Sequence, residues 1–318
     1  MGKIKRFYNQ NRKAIWIILI IIFFLFLILQ LVNSFVGKKL EEESLQNQKN
    51  IENSITSNTT SGISMKTDES VVSGKKISSN NLKAAKGTIE EFIKYCSQDD
   101  IEKAYEMLTD ECKEEMFSSI QLFNDIYFSK IPKGEGINCS MENWINNTYK
   151  VKIIGDILST GQVDNGITDY ITVKKVDDSY KLNINSYIGR TTINESKTKN
   201  NIEMLVISKD TYMDYDKYKI KISNKSTSDI LLDTREDMKS MYIQDKSDTK
   251  YYSYGHELTD ADLTVNKGNI REVSIKYYSS YTSNKTISRI VFSKVLMDYD
   301  SNTKIRNSKN IQEIGVNI

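Results

Sequence analysis

Hydrophobic positions are spread very unevenly along this 318-residue chain. They run almost without interruption from residue 14 to residue 36, and no charge stands between Ala14 and Gly37. As a helix rising 1.5 Å per residue this stretch covers about 34 Å, enough for a hydrocarbon layer about 30 Å thick. Apolar residues on every face fit lipid better than a core position, where one stripe is enough. The pattern predicts a transmembrane helix over 14–36. Residues 37–81 show no apolar period and are rich in Ser, Asn, Thr, Lys and Glu, which predicts a flexible stalk.

From Leu82 the period becomes helical. Ile89, Phe92, Ile93 and Cys96 share one face, and Ile101, Ala104, Tyr105 and Leu108 share the next. Asp99 with Glu102 has capping-box spacing, Thr109 can cap a third helix, and 120–127 continues as helix. After Pro132-Lys133-Gly134-Glu135-Gly136, a loop by composition, the period falls to two. Strands are predicted over 149–157, 169–176 and 180–184, with turns at Asp164-Asn165-Gly166 and Asp177-Asp178. Helices followed by an antiparallel meander define an α+β domain over 82–190. A polar connector follows at 191–200. Seven short strands are then predicted, at 202–208, 217–223, 230–233, 241–244, 251–254, 271–278 and 287–296, which suggests a β-sandwich over 201–300. Residues 301–318 read as a frayed polar tail.

Charge adds a topology. Lys3, Lys5, Arg6, Arg12 and Lys13 precede the apolar stretch and Glu41, Glu42 and Glu43 follow it, so the positive-inside rule puts residues 1–13 in the cytoplasm and the rest outside. A cleavable signal peptide is the competing reading, with Val32 and Ser34 as a poor cleavage site. No Cys stands near residue 30 to accept a lipid. Of 44 Lys+Arg, 39 lie beyond residue 13 against 42 Asp+Glu, so the outer part is mildly acidic and offers poor support for nucleic-acid binding.

The segment Ile89-Glu90-Glu91-Phe92-Ile93 through Lys103-Ala104-Tyr105-Glu106-Met107-Leu108 resembles the opening of nuclear-transport-factor-2-like domains. The resemblance covers roughly 82–189 and implies a cone-shaped α+β fold, a curved sheet wrapped against helices. Tyr218-Lys219-Ile220-Lys221-Ile222-Ser223-Asn224, Leu263 to Gly268 and Ile287 to Phe292 look like immunoglobulin-like domains of bacterial surface proteins. Together they imply a transmembrane helix, a cone-shaped α+β domain and an all-β immunoglobulin-like sandwich. The Asn-, Ile-, Lys- and Ser-rich composition looks like that of low-GC Gram-positive bacteria. An anchor, a stalk and a factor-2-like domain are also the layout of assembly proteins in conjugative type IV secretion machines.

Candidate chemistry is sparse. The single His, His256, excludes multi-histidine metal centres and three Cys cannot build a four-thiolate zinc site. Enzymes of the factor-2-like fold place an acid and a base inside the cone, which singles out Asp169 and Tyr170, although positions beside turns are usually solvated. Asp298-Tyr299-Asp300-Ser301-Asn302 starts like a calcium loop but has Thr303 at position six and Lys309 at position twelve. Cys96 and Cys112 read as buried thiols, and an oxidising exterior would permit a bond between them, leaving Cys139 unpaired. No cofactor and no catalytic set is expected. Tyr251, Tyr252, Tyr254, Tyr277, Tyr278 and Tyr281 concentrate in the second domain, and those facing out would suit protein or glycan contact while the rest pack core and edge. The sequence therefore predicts a non-enzymatic surface protein, single-pass in the cell membrane. Its partners would be the lipid bilayer, through 14–36, and cell-envelope proteins; a small-ligand or peptide module is the alternative.

Overall fold

Side-chain caps decide where each early helix begins. In the computed structural model, which describes residues 63–65, 69–155, 166–236, 238–282, 285–303 and 310–318, Ser78 accepts from the N–H of Asn81 and starts α1 (Ser79–Ser97). Its buried face is Ala85, Thr88, Ile89, Phe92, Ile93 and Cys96. Burying the Ile and Phe side chains among them stabilises by about 1.5–3 kcal/mol each. Asp99 sits at φ +61, so the cap of α2 (Ile101–Glu106) is Asp100, bonded to the N–H of Lys103, and Glu102 is not at the capping-box position. Thr109 caps α3 (Asp110–Met116) and Ser119 caps α4 (Ile120–Ile126). Phe117, Phe123, Tyr127 and Phe128 close this layer, with Phe117 edge-on to Phe123 at 5.4 Å.

Beneath the helices lies a five-stranded sheet in spatial order β1 (Ser64–Met65), β2 (Asn138–Ile145), β3 (Thr148–Ile154), β4 (Ile167–Val176) and β5 (Ser179–Asn183). All its pairs are antiparallel except β1 with β2. On β2 the alternation is strict, with Cys139, Met141, Asn143 and Ile145 inside. The turn expected at Asp164-Asn165-Gly166 lies outside the described residues except for Gly166.

β6 (Tyr187–Lys199) carries the chain from this first core into the second. Its opening residues Tyr187 and Ile188 are buried, and the rest pairs with β7 (Ile202–Tyr212). With β8 (Tyr215–Asn224) and β13 (Ile270–Tyr278) they form a four-stranded antiparallel sheet in the order β13-β8-β7-β6. Facing it is a second sheet of β9 (Asp229–Leu231), β10 (Met241–Asp245), β11 (Lys250–Tyr252), β12 (Thr264–Val265), β14 (Ile287–Tyr299) and β15 (Ile311–Asn317). A short helix, α5 (Asp260–Leu263), leads into β12 and is capped by a Thr259–Asp262 capping box. Buried Ile220, Ile222, Ile275, Phe292, Leu296 and Ile314 fill the space between the sheets. Both seams are stitched, which protects open strand edges from foreign pairing. Lys199 Nζ donates to Glu313 O at 2.8 Å on one side, and the Tyr254 N–H donates to Lys276 O at 2.9 Å on the other.

Several expectations require correction. The fold class is not α+β with a factor-2-like cone: the described residues are 48% strand and 21% helix, and four of the five α-helices have seven residues or fewer. The cause is polar strands. β2 falls where the sequence pattern assigns no element, most of β6 falls in the polar connector 191–200, and β15 lies within the polar tail 301–318. In each, pairing and a few inward side chains outweigh a polar composition. The stalk expected over 37–81 likewise ends in structure, with Ile63 and Ser70 buried and β1 in the sheet. The described residues belong to one compact unit, Ser61–Ile318. No helix among them is long and apolar enough to cross a membrane, and the segments 1–13 and 14–36 lie outside the described residues.

Candidate interaction surface

Strand alternation separates the adjacent tyrosines of β13. Val273, Ile275 and Tyr277 point inward, whereas Ser274, Lys276 and Tyr278 point outward. Tyr277 is fully buried and stands edge-on to Tyr218 at 5.6 Å. It is therefore a core residue and not part of any contact surface. Burial raises the Tyr277 phenol well above its ordinary value, and its hydroxyl has no hydrogen-bond partner among the described residues.

Tyr278 is 49% exposed. Its ring stacks on Tyr254 at 3.6 Å, and Tyr254 stands edge-on to Tyr215 at 6.0 Å, which stacks in turn on Tyr212 at 4.3 Å. This ladder continues inward to Tyr187, 5.2 Å from Tyr212. Lys276 places its ammonium 5.3 Å from the Tyr215 ring and pairs with Glu257 at 2.9 Å. His256 is exposed on the short turn beside Tyr254, its ring 6.0 Å away. The phenol of Tyr254 is raised, first by desolvation and then by Tyr278, Asp214 and Glu257. The remaining tyrosines go elsewhere. Tyr251 donates to Asp245 at 3.0 Å beneath the Lys285 ammonium, and Tyr252 packs edge-on to Tyr242 at 6.1 Å. Tyr281 accepts from Asn146 Nδ2 at 3.0 Å, an exposed contact between the β2–β3 turn and the segment after β13. Thus the structure gathers Tyr254 and Tyr278, adds Tyr215 and Tyr212, and disperses the rest.

The inner end of the ladder meets an ionic joint that sequence reading missed. Arg190 on β6 bonds Asp210 on β7 at 2.8 Å and Glu114 on α3 at 2.6 Å, and lies 3.4 Å from Glu115. Tyr187 donates to Asp210 at 2.8 Å, while Tyr212 and Lys217 both bond Glu115. One turn earlier, Glu111 receives Lys174 at 2.6 Å and Asn183 at 2.9 Å. The acidic run of α3 gave a signal, but the cations that meet it come from distant strands.

Asp169 is buried and fully engaged. Its carboxylate accepts from the Tyr127 hydroxyl at 2.8 Å and from the N–H groups of Tyr170, Asn185 and Ser186 at 2.7, 2.7 and 2.8 Å. Desolvation pushes this carboxyl up and the four donors oppose the rise. It locks the turn before β6, where Asn185 and Ser186 both adopt positive φ. Tyr170 lies half-buried at 5.2 Å from Trp144. Asp300 accepts from the N–H groups of Asn302 and Thr303, and Ser301 is bonded to Asp229, so these two residues of the calcium-like run are engaged in a turn; Lys309 lies outside the described residues. Cys96, Cys112 and Cys139 are all buried and free. Among the described residues no group of three or more His, Cys, Asp and Glu is placed to hold a metal ion. No family model matches this chain, and no curated protein and no solved structure matches it either.

Proposed function

We propose that this chain is a membrane-anchored surface protein that presents its β-rich unit outside the cell for contacts with other cell-envelope proteins. The anchor is the apolar stretch 14–36, with the basic residues 1–13 in the cytoplasm. The observation that carries the contact role is the Tyr278–Tyr254 pair. A large aromatic ring stands half in water, yet it is held by stacking at 3.6 Å on a paired strand. Rigid tyrosine offers contact area at small entropic cost, which is why it recurs at protein interfaces. Contact is favoured over catalysis because Asp169, the acid that sequence reading singled out, is already engaged by four donors.

Two experiments test this. Protease added to intact protoplasts should digest the part beyond residue 37 and spare the basic tail, and full protection would reverse the topology. A photo-crosslinking amino acid at position 278, in cells, should give a discrete adduct with an envelope protein. The same group at Ile270, which is 60% exposed on the same strand, should not. Equal labelling at both positions removes the tyrosine pair as a contact surface.

A further inference from the structure

Val71 and Val72 stand at the tip of a hairpin, 48% and 42% exposed. Turn tips favour Gly, Pro, Asn, Asp and Ser, so two adjacent β-branched apolar residues held in water run against both turn chemistry and burial. Departures of this kind gather where function overrides local preference.

The hairpin is held firmly. Glu69 bridges to Lys76 across it, the Ser70 N–H donates to Lys75 O at 2.9 Å, and the Gly74 N–H donates to Ser70 O at 2.8 Å. Gly74 closes the turn at φ +64, a left-handed conformation that glycine adopts without steric cost. The Ser70 hydroxyl donates to the Trp144 carbonyl at 2.8 Å and accepts from the Ser73 N–H at 3.2 Å. The N–H groups of Val71 and Val72 donate to Asn143 and Trp144 at 2.9 and 3.1 Å. With both backbones pinned to β2, the valine side chains cannot fold back onto the body.

What surrounds them identifies what they meet. Lys75 and Lys76 are exposed directly after the tip, Lys76 only 3.8 Å from Glu69. Trp144 lies alongside, edge-on to Tyr170 at 5.2 Å, with the Lys150 ammonium 5.7 Å from its ring. An apolar tip, a Trp and Tyr pair with one wet side, and lysines on flexible stems are the composition of a membrane-surface contact. Such lysines meet anionic headgroups.

We propose that the 69–76 hairpin rests on a lipid surface, Val71 and Val72 entering the headgroup–acyl boundary and Lys75 and Lys76 facing anionic headgroups. This rests on the anchored reading above, which supplies proximity. Residues 37–62 alone separate the apolar stretch from the folded unit and span at most about 90 Å fully extended. A weak contact suffices at the local lipid concentration that a tether creates.

The test uses the full chain reconstituted in vesicles of phosphatidylcholine and phosphatidylglycerol, with an environment-sensitive maleimide dye at V72C or, as control, at I270C. The native thiols are buried and pushed up to about 12, so labelling falls on the introduced cysteine. Both variants should keep the parent's circular dichroism spectrum. Nitroxide-bearing lipid should quench the dye at V72C at least about threefold more than at I270C. A chain that floats with the vesicles but is quenched equally at both positions overturns the hairpin contact and leaves the anchor standing. A dye at V72C that is shifted to the blue without lipid quenching would mean that a second copy covers the valines, which also overturns it. A chain that fails to float overturns the anchor and this inference together.

Discussion

The two cores of this unit fix their turns differently. In the first, acceptors are placed where several donors converge: Asp169 takes four bonds, and Asn183 ties Glu111 to the Ile188 carbonyl at 2.9 and 2.8 Å. In the second, apolar side chains of two sheets interdigitate, and the buried hydroxyls of Tyr218 and Tyr277 have no partner among the described residues. Where the sandwich uses a converging acceptor its donors are local: Asp245 takes the N–H groups of Ser247 and Thr249 and the hydroxyls of Ser247 and Tyr251. The difference teaches that helices on a sheet need polar side chains that reach distant segments to fix irregular turns, whereas strand pairing holds most of the sandwich backbone and leaves Asp245 only its own turn to hold. Between the two lies the Arg190 joint.

That contrast can be broken in order of effect. Asp169→Asn replaces one accepting oxygen, and with it the acceptor for two of the four bonds, by an amide donor, so it should cost about 3–4 kcal/mol, read as a fall in the urea midpoint. A loss below about 1 kcal/mol would mean that the turn at 185–186 holds itself. Ile314→Ala, on the strand once read as a polar tail, should cost about 3 kcal/mol through the cavity it leaves. Arg190→Met strands Asp210 without its cation, while Glu115 keeps Lys217, and should cost about 2 kcal/mol. It should also split a single unfolding transition into two, since the joint bonds the helical layer to the long strands; one unchanged transition would show that β6 and the Lys217 and Tyr212 bonds to Glu115 suffice to couple the cores. Tyr277→Phe removes a hydroxyl with no partner, so it should be neutral or stabilise by up to about 1 kcal/mol. A large loss from that change would reveal a buried water serving the hydroxyl.

Much of the local structure was legible. The faces of α1 and α2 and the strands around Ile220, Ile275 and Phe292 follow from apolar periods of 3.6 and 2, and the cap at Thr109 from its place before an acidic first turn, whereas the cap of α2 falls on Asp100 and not on Asp99. Polar strands escaped because β2, β6 and β15 take their stability from neighbours that lie far away in sequence. The candidate surface was legible only as a concentration of tyrosine. Which tyrosine faces water depends on register: one position separates buried Tyr277 from exposed Tyr278, and only pairing with β8 fixes that choice. The Val71–Val72 hairpin was hidden inside a segment whose average polarity read as linker.

By itself the sequence determined what short-range physics controls: the apolar stretch of membrane length, the sign of its flanking charges, the helix cap at Thr109 and the shortage of metal-binding side chains. Tertiary structure decided what depends on residues meeting across long intervals. It joined the two cores through one 13-residue strand, brought Arg190 to α3, and set Tyr254 beneath Tyr278. It also left two valines in water. The reason is that composition and period register each residue's preference, whereas a surface is what remains after pairing and packing have used those preferences up.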